Sequence, residues 1–175
     1  MLKNQRCAMF VDVQNIFYGA QYEYKKMRSH HKKLRYEPKI DFAKLMHYCV
    51  GNRSLVRAIC YIVVTDLKLQ QNFISALKDI GYEIKTKQLI KRPDGSAKGN
   101  WDIGIAMDAI IISEVADVVI LVSGDGDFAS LVNYLKIAKG VKVEVSAFPN
   151  STSQELKSVA DEFIPLDEKY LLNYK

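Results

Sequence analysis

The stretch DVVILVSGDGDFASLVNYL, residues 117–135, constrains the fold more than any other part of the chain. Its apolar run Val118–Val122 is rich in valine and isoleucine and stops at Ser123-Gly124-Asp125-Gly126-Asp127. Phe128, Leu131, Val132 and Leu135 then recur at helical spacing. The pattern predicts a buried strand, a turn and a helix. Two carboxylates one residue apart therefore fall where a central parallel strand would end, the edge at which open α/β sheets hold their ligands.

Two aspartates about 4 Å apart repel by roughly 4 kcal/mol at an effective dielectric of about 20. A divalent cation such as Mg²⁺ or Mn²⁺ would offset this, since hard cations prefer carboxylate oxygens and hold phosphates in their remaining positions. The glycines allow close backbone approach and a turn with positive φ. Standing alone, an Asp-Gly-Asp turn is more often a capping device, with Asp127 capping the following helix and Asp125 solvated. The metal reading depends on other carboxylates converging there.

Strand and helix patterns alternate along the chain. Cys7–Val13 reads as a short buried strand ended by Asp12, with a helical pattern after Asn15. A helix over 40–50 is started by Asp41, a strand spans Val56–Val64, and a helix over Leu67–Ile80 stops at Gly81. Tyr82–Leu89 alternates as a strand, and KRPDGSAKGN over 91–100 is a loop. Trp101–Glu114 reads as a largely buried helix, Val141–Val145 as a strand, Gln154–Ala160 as a helix and Phe163-Ile164 as an edge strand, with a last helical turn or frayed tail after Leu166. Repeated strand–helix–strand units predict a three-layer α/β/α fold, Rossmann-like, around a mostly parallel sheet of five or six strands. At 175 residues the expectation is one domain, 1–175.

Composition limits the alternatives. Apolar residues make up 49% and charged residues 26%, with 9 Gly and 4 Pro, which excludes a disordered chain. The three cysteines, Cys7, Cys49 and Cys60, are far apart and odd in number, so neither a zinc knuckle nor a disulfide framework is indicated. No segment approaches the roughly 20 apolar residues that span a bilayer, and the N-terminus lacks a secretory pattern. A soluble cytoplasmic protein with no membrane partner is expected.

The net charge of +5 allows a polyanionic partner. Its densest patch, YEYKKMRSHHKKLRY over 22–36, carries Lys25, Lys26, Arg28, Lys32, Lys33 and Arg35 among three tyrosines. Cationic side chains for phosphates and tyrosine rings for unpaired bases are what single-strand binding uses, although a charge run by itself is more often a solvated connector. Lys91, Arg92 and Lys98 flank the turn at Pro93-Asp94-Gly95 and would guide a phosphate backbone.

Four acids can reach one edge of such a sheet: Asp12 after the first strand, Asp102 at a helix start, and Asp125 with Asp127. Each has a capping explanation, but a shared edge for all four marks a functional site. Asn15 can cap or hold a water or phosphate oxygen. Asp108 lies about 600° around the helix from Asp102, which predicts a buried hydrogen-bonded support rather than a ligand. Ser151, Thr152 and Ser153 precede a helix and are expected to cap it more than to hold phosphate.

The segments FVDVQN (Asp12, Asn15), KGNWD (Lys98, Gly99, Asp102) with Asp108 downstream, and VSGDGDF (Ser123–Phe128) resemble, in order, the motifs of the NYN domain family and its LabA-like branch, a relative of the PIN nuclease fold. ADEFIPL near Ile164 resembles the family's closing segment, so the resemblance runs from Phe10 to about Ile164. It implies a PIN-like fold and a Mg²⁺- or Mn²⁺-dependent ribonuclease. Asp12, Asp102, Asp125 and Asp127 would be its catalytic, metal-binding acids, with Asn15, Ser123 and Asp108 in support. Trp101 stands where family members more usually carry a small aliphatic residue.

The function expected is hydrolysis of RNA phosphodiesters, with single strands as substrate. The alternative is an RNA-binding or regulatory protein that keeps the fold without turnover. Phosphoryl transfer of the haloacid dehalogenase type ranks last, because its acidic pair follows the first strand rather than a late one. Pairing of two copies stays open.

Overall fold

The computed structural model describes residues 4–30, 39–91 and 97–172. Its chain order is β1 (Arg6–Asp12), α1 (Val13–His30), β2 (Lys39–Ile40), α2 (Phe42–Val50), β3 (Ser54–Val64), α3 (Leu67–Ile80), β4 (Glu83–Gln88), β5 (Ile90–Lys91), β6 (Ala97–Lys98), α4 (Asp102–Ile112), β7 (Val118–Val122), α5 (Ala129–Lys139), β8 (Lys142–Ala147), α6 (Gln154–Val159), β9 (Glu162–Pro165) and β10 (Leu171–Leu172). Six strands form one sheet in the order β4-β3-β1-β7-β8-β9, and every neighbouring pair is parallel.

The central strands are apolar on both faces because both faces are covered. On β1, Cys7, Met9 and Val11 face a core shared with α1, α2 and α3, whereas Ala8 and Phe10 face the core made with α4, α5 and α6. All five residues of β7 are buried and divide in the same way. Two apolar layers therefore clamp the sheet, each large side chain contributing on the order of 1.5–3 kcal/mol by leaving water. All three cysteines are buried as free thiols.

Local signals explain the helix limits. Asp41 accepts the Lys44 backbone N–H at 2.9 Å at the start of α2, and Asp66 accepts that of Lys68 at 2.9 Å at the start of α3. Gly81 ends α3 with φ of 112°.

Two short antiparallel pairs lie outside the expected pattern. β10 pairs with β2, so the tail makes the expected helical turn, a 3-10 turn at Glu168–Tyr170, and then adds a short strand. β5 pairs with β6, so Lys91, Ala97 and Lys98 of the segment read as a loop over 91–100 take part in strand pairing.

Candidate metal centre

Sheet topology selects the place. The chain leaves β1 toward β3 and β4 on one side, then returns through β7 on the other side. The strand order therefore reverses between β1 and β7, and such a switch point opens a crevice beyond the carboxyl ends of the two strands. β1 ends at Asp12, and β7 runs into Ser123, Gly124, Asp125, Gly126 and Asp127. A cleft of about 270 Å³ opens there, lined by Asp12, Gln14, Asn15, Tyr18, Asn100, Trp101, Asp102, Asp125 and Asp127 together with Val63.

Three of the four expected acids meet closely. One carboxylate oxygen from each of Asp102, Asp125 and Asp127 lies within 4.8 Å of the other two. Asp12 lines the same cleft but stands outside that tight group. It is 9% exposed, and burial raises its pKa to about 6, helped by the charges of Asp102 and Asp125 and opposed by the backbone N–H groups of Asn15 and Gln14. Asp102 is also raised, first by burial and then by Asp125 and Asp127, with its own backbone N–H and Lys87 acting against the shift.

The capping roles fall differently from the expectation. Asp125 Oδ1 accepts the Asp127 backbone N–H at 3.1 Å, so Asp125 caps the short 3-10 turn Gly126–Phe128 that leads into α5. Among the described residues, nothing donates a hydrogen bond to the Asp127 carboxylate. Asp12 does both things: its Oδ1 accepts the Asn15 backbone N–H at 3.1 Å, capping α1 while it faces the cleft. Asp102 takes a hydrogen bond from the Asn100 side-chain amide.

Gly124 and Gly126 serve close approach rather than a left-handed turn, since among the described residues the glycines with positive φ are Gly51, Gly81 and Gly140. A Cβ on Gly124 would stand 3.0 Å from the Ser151 carbonyl oxygen, and one on Gly126 would stand 2.9 Å from Ser153 Oγ. The acidic loop is thus pressed against residues 151–153. There, Ser153 accepts the Leu156 N–H at 3.5 Å while Ser151 and Thr152 donate to the Phe148 carbonyl, so these hydroxyls cap and brace.

Three further residues brace the elements that carry the acids. Asn15 Oδ1 accepts the Gly124 N–H at 2.8 Å, and the buried Ser123 Oγ accepts the Asp125 N–H at 3.3 Å. Asp108 points away from the cleft, accepting from the Tyr61 hydroxyl and from Lys85 Nζ at 2.7 Å. It anchors α4 to β3 and β4.

The basic residues are less completely placed. Lys25 and Lys26 are exposed on α1, where Lys26 donates to Asn150 at 3.2 Å. Lys32, Lys33, Arg35 and Arg92 lie outside the described residues, as do the side chains of Arg28, Lys91 and Lys98. A cation that sequence reading passed over is Lys87. It donates to the Asn100 carbonyl at 2.8 Å and lies 4.5 Å from the Trp101 ring centre, beside Asp102. Its signal was alternation in EIKTKQ, which puts Lys85 and Lys87 on the face that meets α4. Tyr18, Gln14 and Asn100 were likewise missed, because no local pattern ties them to the acids.

Residues 6–167 match the NYN domain. The Low amplitude and bright protein LabA of Synechococcus elongatus is 30% identical over 172 residues, taking in 93% of this chain and 84% of that protein. A crystal structure of a protein of unknown function from Vibrio parahaemolyticus has a TM-score of 0.81 at 35% identity, covering 98% of this chain and 99% of the other. The matched range runs from the start of β1 past the end of β9, so it contains every strand of the main sheet and every acid of the cleft.

Proposed function

Because the chain belongs to the NYN domain family, in its LabA-like branch, we propose that it is a divalent-metal-dependent ribonuclease acting on single-stranded RNA. The observation that carries this reading is the meeting of Asp102, Asp125 and Asp127 within 4.8 Å, with Asp12 in the same cleft, at the sheet's switch point. The donor set fits Mg²⁺ or Mn²⁺: it offers hard carboxylate oxygens, with neither thiol nor imidazole among the cleft residues. An Asp127 carboxylate without a hydrogen-bond donor among the described residues, beside two other acids, is the group that gains most from a cation.

Asp102, Asp125 and Asp127 would hold the ion, and Asp12 would complete the acidic set from its buried position. Bound there, the ion supplies Lewis acidity toward the attacking water and the phosphate. Asp12, the most buried of the four acids, lines the cleft with one oxygen held by the Asn15 N–H, a position from which it would take the proton from that water. Asn15 and Ser123 keep the loop of Asp125 and Asp127 aligned with β1, and Asp108 keeps α4 and hence Asp102 in register. Lys87, Lys98, Lys91, Arg92 and the basic run containing Lys25, Lys26, Arg28, Lys32, Lys33 and Arg35 would attract the phosphate backbone without reading its sequence.

The test is incubation of the purified protein with end-labelled RNA and Mn²⁺, repeated with Asp125→Asn. Cleavage by the wild type and its loss in the variant is expected. RNA retained in a gel but left whole under every divalent ion would turn the reading to a binding or regulatory protein.

A further inference from the structure

A second concavity adjoins the acidic cleft. It has a volume of about 380 Å³, runs between α1 and α3, and has Gln14, Tyr18 and Val63 in common with the cleft, so the two lie side by side. Its lining includes no Asp, Glu, Lys or Arg, which contrasts with the acids next to it. The floor is apolar and aromatic, with Phe17 and Phe73 ring centres 5.8 Å apart. The rim is formed by Tyr18, 62% exposed, and Leu69, 82% exposed, so an aromatic ring and an apolar side chain stand open to a ligand at the mouth of the groove. Three amides, Gln14, Gln21 and Gln70, supply donors and acceptors, and the Gln70 Oε1 is buried without a hydrogen-bond partner.

We propose that this groove holds one unpaired nucleobase of the RNA strand, next to the phosphate bound at the acids. The inference rests on the ribonuclease reading and adds to it a base subsite. A nucleotide is charged at its phosphate and neutral, flat and edged with donors and acceptors at its base. The paired concavities have the same division, with carboxylates for a metal-held phosphate on one side and uncharged aromatic surface with amides on the other. Base stacking on an aromatic ring tolerates any sequence, whereas the amides can favour one edge pattern.

The direction of the strand follows from α1. Gln14, Tyr18, Tyr22 and Lys25 are spaced by four, four and three residues and so form one stripe leading away from the cleft. Tyr22 is more than half exposed and Lys25 is exposed. A strand leaving the groove therefore meets a second ring and then Lys25.

The test measures anisotropy of a short fluorescein-labelled single-stranded RNA on the full chain, with Ca²⁺ in place of Mn²⁺ so that the acids are neutralised while the strand stays whole. Tyr18→Ala is expected to weaken binding about tenfold, within the range for one lost base–aromatic stack. Tyr18→Trp should retain the affinity. The distant Ile137→Ala, on α5, should match the wild type. A strand with the same phosphates but no bases should bind the wild type and Tyr18→Ala alike. If Tyr18→Ala binds RNA as the wild type does, or if the wild type binds RNA and the base-free strand equally, the subsite is overturned while cleavage by the wild type still supports the nuclease. The first of these results is also what a groove for an apolar peptide would give. If the wild type neither binds nor cuts RNA, both readings fall.

Discussion

The side-chain oxygen of Asn15 accepts the backbone N–H of Gly124 at 2.8 Å, joining the start of α1 to the loop after β7. The same residue gives its own backbone N–H to Asp12. Asn15 thus fixes Asp12 relative to Asp125 and Asp127, although it holds neither loop acid itself. Asn15→Ala leaves the buried Gly124 N–H without a partner, which costs about 1–2 kcal/mol. The expected result is a modest fall in melting temperature together with weaker Mn²⁺ binding, read by isothermal titration. Unchanged Mn²⁺ affinity would show that the loop holds its place unaided.

The acidic cluster should respond to metal and to charge removal in opposite senses. Saturating Mn²⁺, at about 100 times its dissociation constant, stabilises a protein by roughly 2.7 kcal/mol, a rise of roughly 5–10 °C for a chain of this size. Asp125→Asn keeps the acceptor for the Asp127 N–H and relieves repulsion from Asp102 and Asp127. The metal-free variant should therefore melt at or above the wild type yet lose the Mn²⁺ response. Thermal scans with EDTA and with Mn²⁺ check both halves. A variant that melts lower in EDTA and keeps the Mn²⁺ shift would remove the cluster as the binding place.

Acid sensitivity should come from a different carboxylate. Glu144 on β8 is buried and receives both Arg53 guanidinium nitrogens, at 2.8 and 2.9 Å, and Lys142 Nζ at 2.7 Å. Burial pushes its pKa up, but Arg53 and Lys142 outweigh that and hold it below the ordinary 4.5. A lowered pKa means that the stabilisation is complete above the ordinary glutamate range and is lost as the pH falls through the folded value. Glu144→Gln should cost roughly 3 kcal/mol near neutrality, because Arg53 loses its counter-charge, and should flatten the stability curve below pH 4.5. Urea midpoints at pH 7 and pH 4 make the comparison. Parallel curves for the two proteins would sink the assignment.

How much of this was legible in the amino-acid order depends on range. β7 and α3 are read to their ends, Val118–Val122 and Leu67–Ile80, because apolar runs, the Asp66 cap and Gly81 are local signals. Asp12, Asp102, Asp125 and Asp127 could be gathered at one edge since strand ends and helix starts of a parallel sheet share a side. The finer placement of Asp12 outside the tight trio depends on its depth beside Asn15, which no spacing encodes. β2 and β10 are two-residue elements and too short to carry a period. Lys87, Asn100 and Tyr18 join the cleft, and Glu144 finds Arg53, through contacts between segments distant in the chain. A lone glutamate in the strand KVEVSA looks like an interruption until its partner is seen.

The last prediction concerns how Trp101 fits beside the acids. Its indole N–H donates to the Ile62 carbonyl at 3.1 Å, its ring meets Tyr61 edge-on at 5.4 Å, and Lys87 lies against its face. The space exists because residue 104, one turn along, is glycine: a Cβ there would stand 2.6 Å from Cε3 of Trp101 and 3.0 Å from Cζ3. Gly104→Ala gains about 1 kcal/mol of helix propensity but overpacks against the ring, at a cost of about 1–3 kcal/mol. The ring must shift, and Asp102 follows it directly in the chain. Trp101 is the chain's one tryptophan, so its emission reports the cleft without interference. Gly104→Ala should shift that emission to longer wavelength, lower the melting temperature and weaken Mn²⁺ binding together. A variant that is more stable than the wild type, with unchanged emission, would mean that the ring is not wedged against α4, and the explanation for a tryptophan at this position would fall.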